Sequence, residues 1–584
     1  MSKTQHWLPI LLSIILTQVF LVQQLYAQSN VNIIINGVNN ELEENIRLYL
    51  SLEQQKDHAL FSDERIRRLF KKSHQEISKA VQPYGFYRAE IHSKLEQIEA
   101  SQWQATYTIN SGKAIPIHRF DFNINEAVRQ DLEFKSVTDN PPFKMGDTFN
   151  HLKYENFKNS LAKVATERGY FDARFTSHQV EVNLNSYEAN IKLHFNAGQR
   201  YQFGEIIFDS GTLKPELLKR YLTFEQGSPY SIYDLLKLQQ SLTDSEYFKS
   251  VEISPGTPES DTLEVPVNIK LTPRKKHRYS LGLGYGTDTG ARAKFSWEIP
   301  RLNASGHRIN TDTRVSDLGY SLDFRYRVPL LKPRTDELVY SAGIVNEKTD
   351  TNESTIRTVG SSINRSHGYW RESLALNYQQ EDFTVADEQG RSSLLIPTFN
   401  WSRIWGSNFI YTLDGLRFNI GIRGASEKLI SDSSFFQLQS SLKAISKLGK
   451  KHRLIARGQL GSTWTDDFLQ LPSSVRFFAG GAQSVRGYAY ESLGPVNSSG
   501  EVIGGQHLMI GSLEVEHALS EKWAAAIFYD AGNAIDNFND KLERGAGVGI
   551  RWKSPIGAIR VDLATAISDE DRPWRIHINI GPDL

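Results

Sequence analysis

From Tyr279 onward the chain alternates apolar and polar residues one by one, in segments of roughly ten residues, and few folds accept that pattern. Tyr320, Leu322, Phe324 and Tyr326 interleave with Ser321, Asp323, Arg325 and Arg327, and Trp574, Ile576, Ile578 and Ile580 with Arg575, His577 and Asn579. A period of two puts the two sets on opposite faces of a strand. A soluble sandwich shows the same alternation, so the pattern alone does not separate it from a membrane barrel. Strand lengths near ten residues, Trp and Tyr near segment ends and a charged second face favour the barrel. Beyond the N-terminal segment no run approaches the roughly 18 apolar residues a membrane helix needs. A chain of this kind that spans a membrane therefore does so as a closed barrel, with every backbone group paired. About sixteen candidate strands fit, the first at 279–287 and the last at 573–580.

Residues 1–27 have the composition of a secretory signal: Lys3, an apolar run from Trp7 to Val22, then polar residues and Ala27. The 584 residues contain no cysteine, which suits an exported fold that has no use for disulfide staples. Lys and Arg number 67 against 67 Asp and Glu, with no basic stripe carrying stacking aromatics, so nucleic acid is not an expected partner.

Between about 31 and 275 a unit of roughly 80 residues repeats. Its marker is an aromatic pair that closes a helix and opens a strand: Tyr84-Gly85-Phe86-Tyr87, then Gly169-Tyr170-Phe171, then Glu246-Tyr247-Phe248. Within a unit the order reads strand, helix, helix, strand, strand, an α+β module with an exposed edge. The aromatic pairs read as helix-on-sheet packing. The basic run Arg274-Lys275-Lys276-His277-Arg278 reads as a solvated linker or as a contact for anionic lipid headgroups at a membrane surface.

The longest stretch without strand pattern in the C-terminal half is 465–505, too long for an ordinary hairpin connection. It contains Arg476-Phe-Phe-Ala-Gly-Gly-Ala-Gln-Ser-Val485-Arg486-Gly487-Tyr488, an arginine in an apolar, glycine-rich setting that needs a partner. Asp530 of Phe528-Tyr529-Asp530-Ala531-Gly532 is the expected partner, because alternation aims it to the side of Ala526 and Phe528 and away from Ile527 and Tyr529. The first candidate strand is also unusual. Gly282, Gly284 and Gly286 occupy three of its inward positions, and glycine weakens a strand.

The repeats behind a signal and ahead of a barrel resemble POTRA domains. Val485-Arg486-Gly487-Tyr488 matches the VRG(F/Y) motif, and Phe528 to Gly532 the (F/G)xDxG motif, of the outer-membrane assembly superfamily that includes BamA, TamA and the two-partner secretion transporters. That resemblance covers nearly the whole chain after the signal. It implies a loop folded back into the lumen, with Arg486 meeting Asp530 and Gly532 of the second motif, and Glu514 as a third member. It also implies that first and last strands meet in a weak seam that opens sideways to client strands. The expected division is signal 1–27, POTRA modules 28–114, 115–199 and 200–276, and an outer-membrane barrel 277–584, with the modules in the periplasm. Three modules and the ending Ile580-Gly581-Pro582-Asp583-Leu584 are similar to the TamA branch. That branch implies assembly of autotransporters and other outer-membrane proteins beside a TamB-like inner-membrane-anchored partner. The alternatives are a two-partner secretion transporter that exports one dedicated protein through its lumen and a passive diffusion channel with periplasmic modules, which outer-membrane lipid would surround. No metal spacing, phosphate loop or catalytic constellation is evident, so neither an enzyme nor a cofactor is expected.

Overall fold

The computed structural model describes residues 29–58, 62–209, 211–408, 411–555 and 557–581; the expected signal 1–27 and the terminal Pro582 to Leu584 lie outside them. Three small sheets precede a closed barrel of sixteen antiparallel strands. In the first sheet the strand Gln102–Asn110 lies in the middle, parallel to Asn30–Asn36 and antiparallel to Glu90–Glu99. The second and third sheets repeat that strand order. The helix Asp63–Val81 covers the first sheet because Ile66, Leu69, Ser73, Ile77 and Ala80 recur at three- and four-residue spacing and are buried. Ser62 caps it by accepting from the Arg65 amide, and acidic residues fill its first turn.

The aromatic markers do more than pack helix on sheet. Beside each, a carbonyl accepts the backbone N–H of a residue near the opening of the next domain: Ile115 donates to Gly85, Tyr201 to Gly169 and Arg274 to Tyr247, at 2.8 to 2.9 Å. Gly85 and Gly169 have φ of +90° and +83°, which a side chain rarely adopts. A Cβ on Gly85 would also lie 2.5 Å from the Phe149 carbonyl oxygen, so the joint requires glycine there.

The chain divides into two compact units. One holds residues 1–206, 225–234 and 255–267; the other holds 207–224, 235–254 and 268–584, so that the helical side of the third module belongs with the barrel. In this second unit, Tyr247 Oη donates to the Gly306 carbonyl (2.6 Å), Arg308 Nη2 to the Ser245 carbonyl (2.5 Å) and the Lys214 amide to the Ala304 carbonyl (2.8 Å). The basic linker is half consumed by such contacts. Arg274 Nε donates to the Phe248 carbonyl and Arg278 pairs with Glu246 and Glu298, which leaves Lys275 and Lys276 exposed.

The barrel strands run from Arg278–Gly286 to Trp574–Gly581. Leu281, Leu283, Leu374, Ile527, Val548 and Ile576 point outward and are more than half exposed, an apolar band suited to lipid. The sixth to eighth strands, Asn352–His367, Trp370–Val385 and Glu388–Gly406, are longer than the sequence pattern suggests. On the seventh strand the added residues Glu381, Phe383 and Val385 are buried, and on the eighth Leu394 and Ile396 pack with Leu471 and Val475 of the 465–505 stretch.

Candidate functional site

The segment 465–506 connects the eleventh strand, His452–Trp464, to the twelfth, His507–Ala518, and holds itself together by backbone pairs between Phe477 and Gly505 and between Ala479 and Leu493. Arg476 ties its base, donating to the carbonyls of Leu471, Ile503 and Leu469. One part of the loop is pinned to the seventh strand. Glu381, fully buried, accepts from Ser473 Oγ (2.8 Å), the Ser474 amide (3.2 Å) and Ser354 Oγ (3.0 Å), and the Ser474 hydroxyl donates to its other oxygen.

The tip is pinned on the opposite wall by Arg486, which is 2% exposed. Its Nε and Nη2 form a fork on Asp530, at 2.7 and 2.9 Å, and its backbone amide adds a third bond at 3.1 Å. Nη1 donates to Glu514 (2.7 Å) and Asp562 (3.3 Å), and the guanidinium lies 3.4 Å over the Phe528 ring. The planar fork and stacking are what distinguish an arginine here from a lysine. Asp530, Phe528 and Ala526 face inward and are buried while Ile527 and Tyr529 face outward, as the alternation requires. Val485 is fully buried and Tyr488 Oη donates to Glu543 (3.1 Å).

Gly532 is not part of the arginine's cradle. The atoms nearest to a Cβ placed on it are the Met509 carbonyl oxygen (2.5 Å) and Ile510 of the twelfth strand, so this glycine lets two strands approach. The residue that yields to the loop is Gly545 on the fourteenth strand, Glu543–Ser554, where a Cβ would stand 1.9 Å from the Arg486 carbonyl oxygen.

The pair extends into a larger charged network. Arg551, fully buried, donates to Glu514 (2.7 Å) and pairs with Asp562 (2.6 Å) and Glu516 (3.3 Å). Arg453 binds Glu516 (2.9 Å) and the Thr412 carbonyl (2.6 Å), while Arg457 stands 3.8 Å from Asp530. Arg453, Arg457, Arg486 and Arg551 thus face Glu514, Glu516, Asp530 and Asp562, and Lys443 and Arg560 line the same cavity. Burial of ions is tolerable only with such pairing. The motif resemblance pointed to Arg486, Asp530 and Glu514. Arg551, Asp562, Arg453, Arg457 and Glu516 join them only in the structure.

The seam is the second feature. The fifteenth and sixteenth strands are paired continuously from Ala558 with Gly581 to Thr565 with Trp574, whereas the first and sixteenth share a single register pair, Gly286 with Asn579. Beyond it the Thr287 amide donates to the Ile578 carbonyl (3.3 Å), the Ile578 amide to Thr287 Oγ1 (3.2 Å), and Arg292 Nη2 to the Ile580 carbonyl (3.2 Å). Gly282, Gly284 and Gly286 make room for the second strand and the seam rather than for the loop: the nearest atoms to their added Cβ positions belong to Lys294, to Arg292, and to Thr289 and Ile578.

Family models match three stretches: an Omp85 superfamily domain at residues 283–583, a POTRA domain described as TamA domain 1 at 32–111, and a POTRA repeat described as surface antigen variable number repeat at 201–274. The outer membrane protein assembly factor BamA of Neorickettsia risticii is 21% identical over 470 residues, 75% of this chain and 62% of that protein. BamA of Nitratidesulfovibrio vulgaris is 29% identical over 154 residues, 25% of this chain and 19% of that protein. The chain thus spans about three fifths or less of these two relatives. The crystal structure of BamA from Haemophilus ducreyi lacking POTRA domains 1-3 superposes with a TM-score of 0.68 at 17% identity, covering 79% of this chain and 99% of that one.

Proposed function

This chain belongs to the Omp85 superfamily, and on that footing we propose that it is an outer-membrane assembly factor of the TamA type, with its POTRA modules in the periplasm. Client strands from autotransporters and other outer-membrane proteins pair onto the first barrel strand at the seam and pass sideways into lipid. The observation that carries this reading is the single register pair between Gly286 and Asn579. An edge strand with unmet N–H and C=O groups is a template for an incoming strand. The chemistry is exchange of backbone hydrogen bonds, driven by client folding and needing no cofactor.

The TamA-type assignment is supported by the model that matches residues 32–111 and by the three module sheets. The partner that follows from it is a TamB-like, inner-membrane-anchored protein, received on the exposed edge strand Glu90–Glu99 of the first module. Export of a dedicated partner through the lumen is disfavoured by the loop that fills the lumen between Glu381 and Arg486. Crosslinking in intact envelopes followed by purification through the modules tests the assignment. Recovery of a large inner-membrane-anchored protein, lost when Glu90–Glu99 is altered, supports it; recovery of one secreted protein alone overturns it in favour of the transporter.

A further inference from the structure

The two strands of the seam are weakly joined to each other, yet both are joined to a third segment. Continuing the register of Gly286 with Asn579 outward sets Thr287 beside Ile578 and then Asp288 opposite His577. The Asp288 and His577 side chains stand apart, with 3.7 Å between Oδ1 and Nδ1. Each takes a backbone N–H from the lumen loop instead: Ala482 donates to Asp288 Oδ2 at 2.7 Å, and Gly487 donates to His577 Nε2 at 3.0 Å.

The stretch between those two donors is short and stiff. Ser484 closes it by donating its amide to the Gly481 carbonyl (3.1 Å) and by accepting the Gly480 amide on its hydroxyl oxygen (3.0 Å), and Arg486 fixes its end. Gly481 and Gly487 have φ near +100°, and Cβ atoms on them would lie 2.8 Å from Asp288 Oδ2 and from the Ala566 amide nitrogen. These glycines let the backbone approach the turn at Asp288 and the fifteenth strand, Gly557–Ala566, beside the last strand. His577 is 1% exposed, with Nε2 accepting from the loop and Nδ1 turned toward Asp288.

We propose that the Ala482–Gly487 segment is the clasp of the seam, with Asp288 and His577 as the positioning residues through which it holds the first hairpin and the last strand together. The seam then opens when the loop tip withdraws, and the charged network around Arg486 sets how readily it does so. This inference rests on the reading of the seam as the client route.

The test uses the full chain in lipid nanodiscs, where the absence of native cysteine allows spin labels at Tyr285→Cys and Ile576→Cys, both outward and exposed. Pulsed EPR in this background gives one narrow distance. His577→Ala and Asp288→Ala each raise the separated population about fivefold, the change expected for one lost hydrogen bond. His577→Gln, which retains an acceptor, restores the narrow distance. Unchanged distances in folded Asp288→Ala protein overturn the clasp, whether or not His577→Ala folds. Client insertion is read separately. A seam that separates without any change in client insertion keeps the clasp and removes only the client route.

Discussion

Arg486→Ala is the sharpest perturbation of the loop. It leaves Asp530, which is fully buried, with Arg457 at 3.8 Å, and it withdraws the cation that Glu514 and Asp562 share with it. Removing one member of a buried ion pair costs about 3 to 5 kcal/mol, largely because the other charge stays buried. The second attachment, at Ser473 and Ser474 on Glu381, does not depend on Arg486, so the tip comes away while the base holds. The expected result is a rise of roughly 10² to several 10³ in hydrogen exchange across 481–490, equivalent to that free energy, with Ser473 to Val475 still protected. Arg486→Met with Asp530→Asn removes one cation and one anion together and recovers a large part of the loss, a coupling of about 2 kcal/mol. Arg486→Glu with Asp530→Arg recovers less, because position 486 also faces Glu514 and Asp562 and position 530 lies beside Arg457. Exchange across 481–490 that matches the wild type in Arg486→Ala would falsify the two-point attachment.

Gly545→Ala places a Cβ 1.9 Å from the Arg486 carbonyl oxygen and is expected to expose 481–490 without changing any charge, whereas Gly458→Ala, whose nearest such atom is 3.9 Å away, leaves exchange unaltered. Glu381→Ala removes the acceptor shared by Ser473 and Ser474, so protease cleavage appears near 473–475 while the tip stays seated on Asp530. Tyr247→Phe keeps the ring beneath Arg308 but withdraws the hydroxyl from the Gly306 carbonyl, costing about 1 to 3 kcal/mol; exchange at the Leu302 and Gly306 amides reports it.

The barrel and its loop were legible in the sequence because both are local signals: alternation fixes which face a residue takes, and the loop interrupts that alternation. The partnership of Arg486 with Asp530 followed from an arginine in an apolar, glycine-rich setting and an inward aspartate. The wider network did not, because parity says that Arg551 and His577 point inward but not whom they meet. That depends on the stagger of strands around the barrel, which brings Arg551 of the fourteenth strand onto Glu514 of the twelfth. Gly532 was misread for the same reason, as its neighbour across the strand pair decides its use. The outer end of the seventh strand escaped the pattern because Phe383 and Val385, on the side of Glu381, are apolar and buried on the inner face rather than facing lipid.

The central claim is that client strands enter through the seam, and locking that seam tests it directly. Gly286→Cys with Asn579→Cys places a cysteine on each member of the single register pair, in a chain otherwise free of cysteine. With the disulfide formed, insertion of autotransporter clients should stop, and reductant should restore it. Full client insertion with the seam covalently closed would contradict the account and move the route elsewhere.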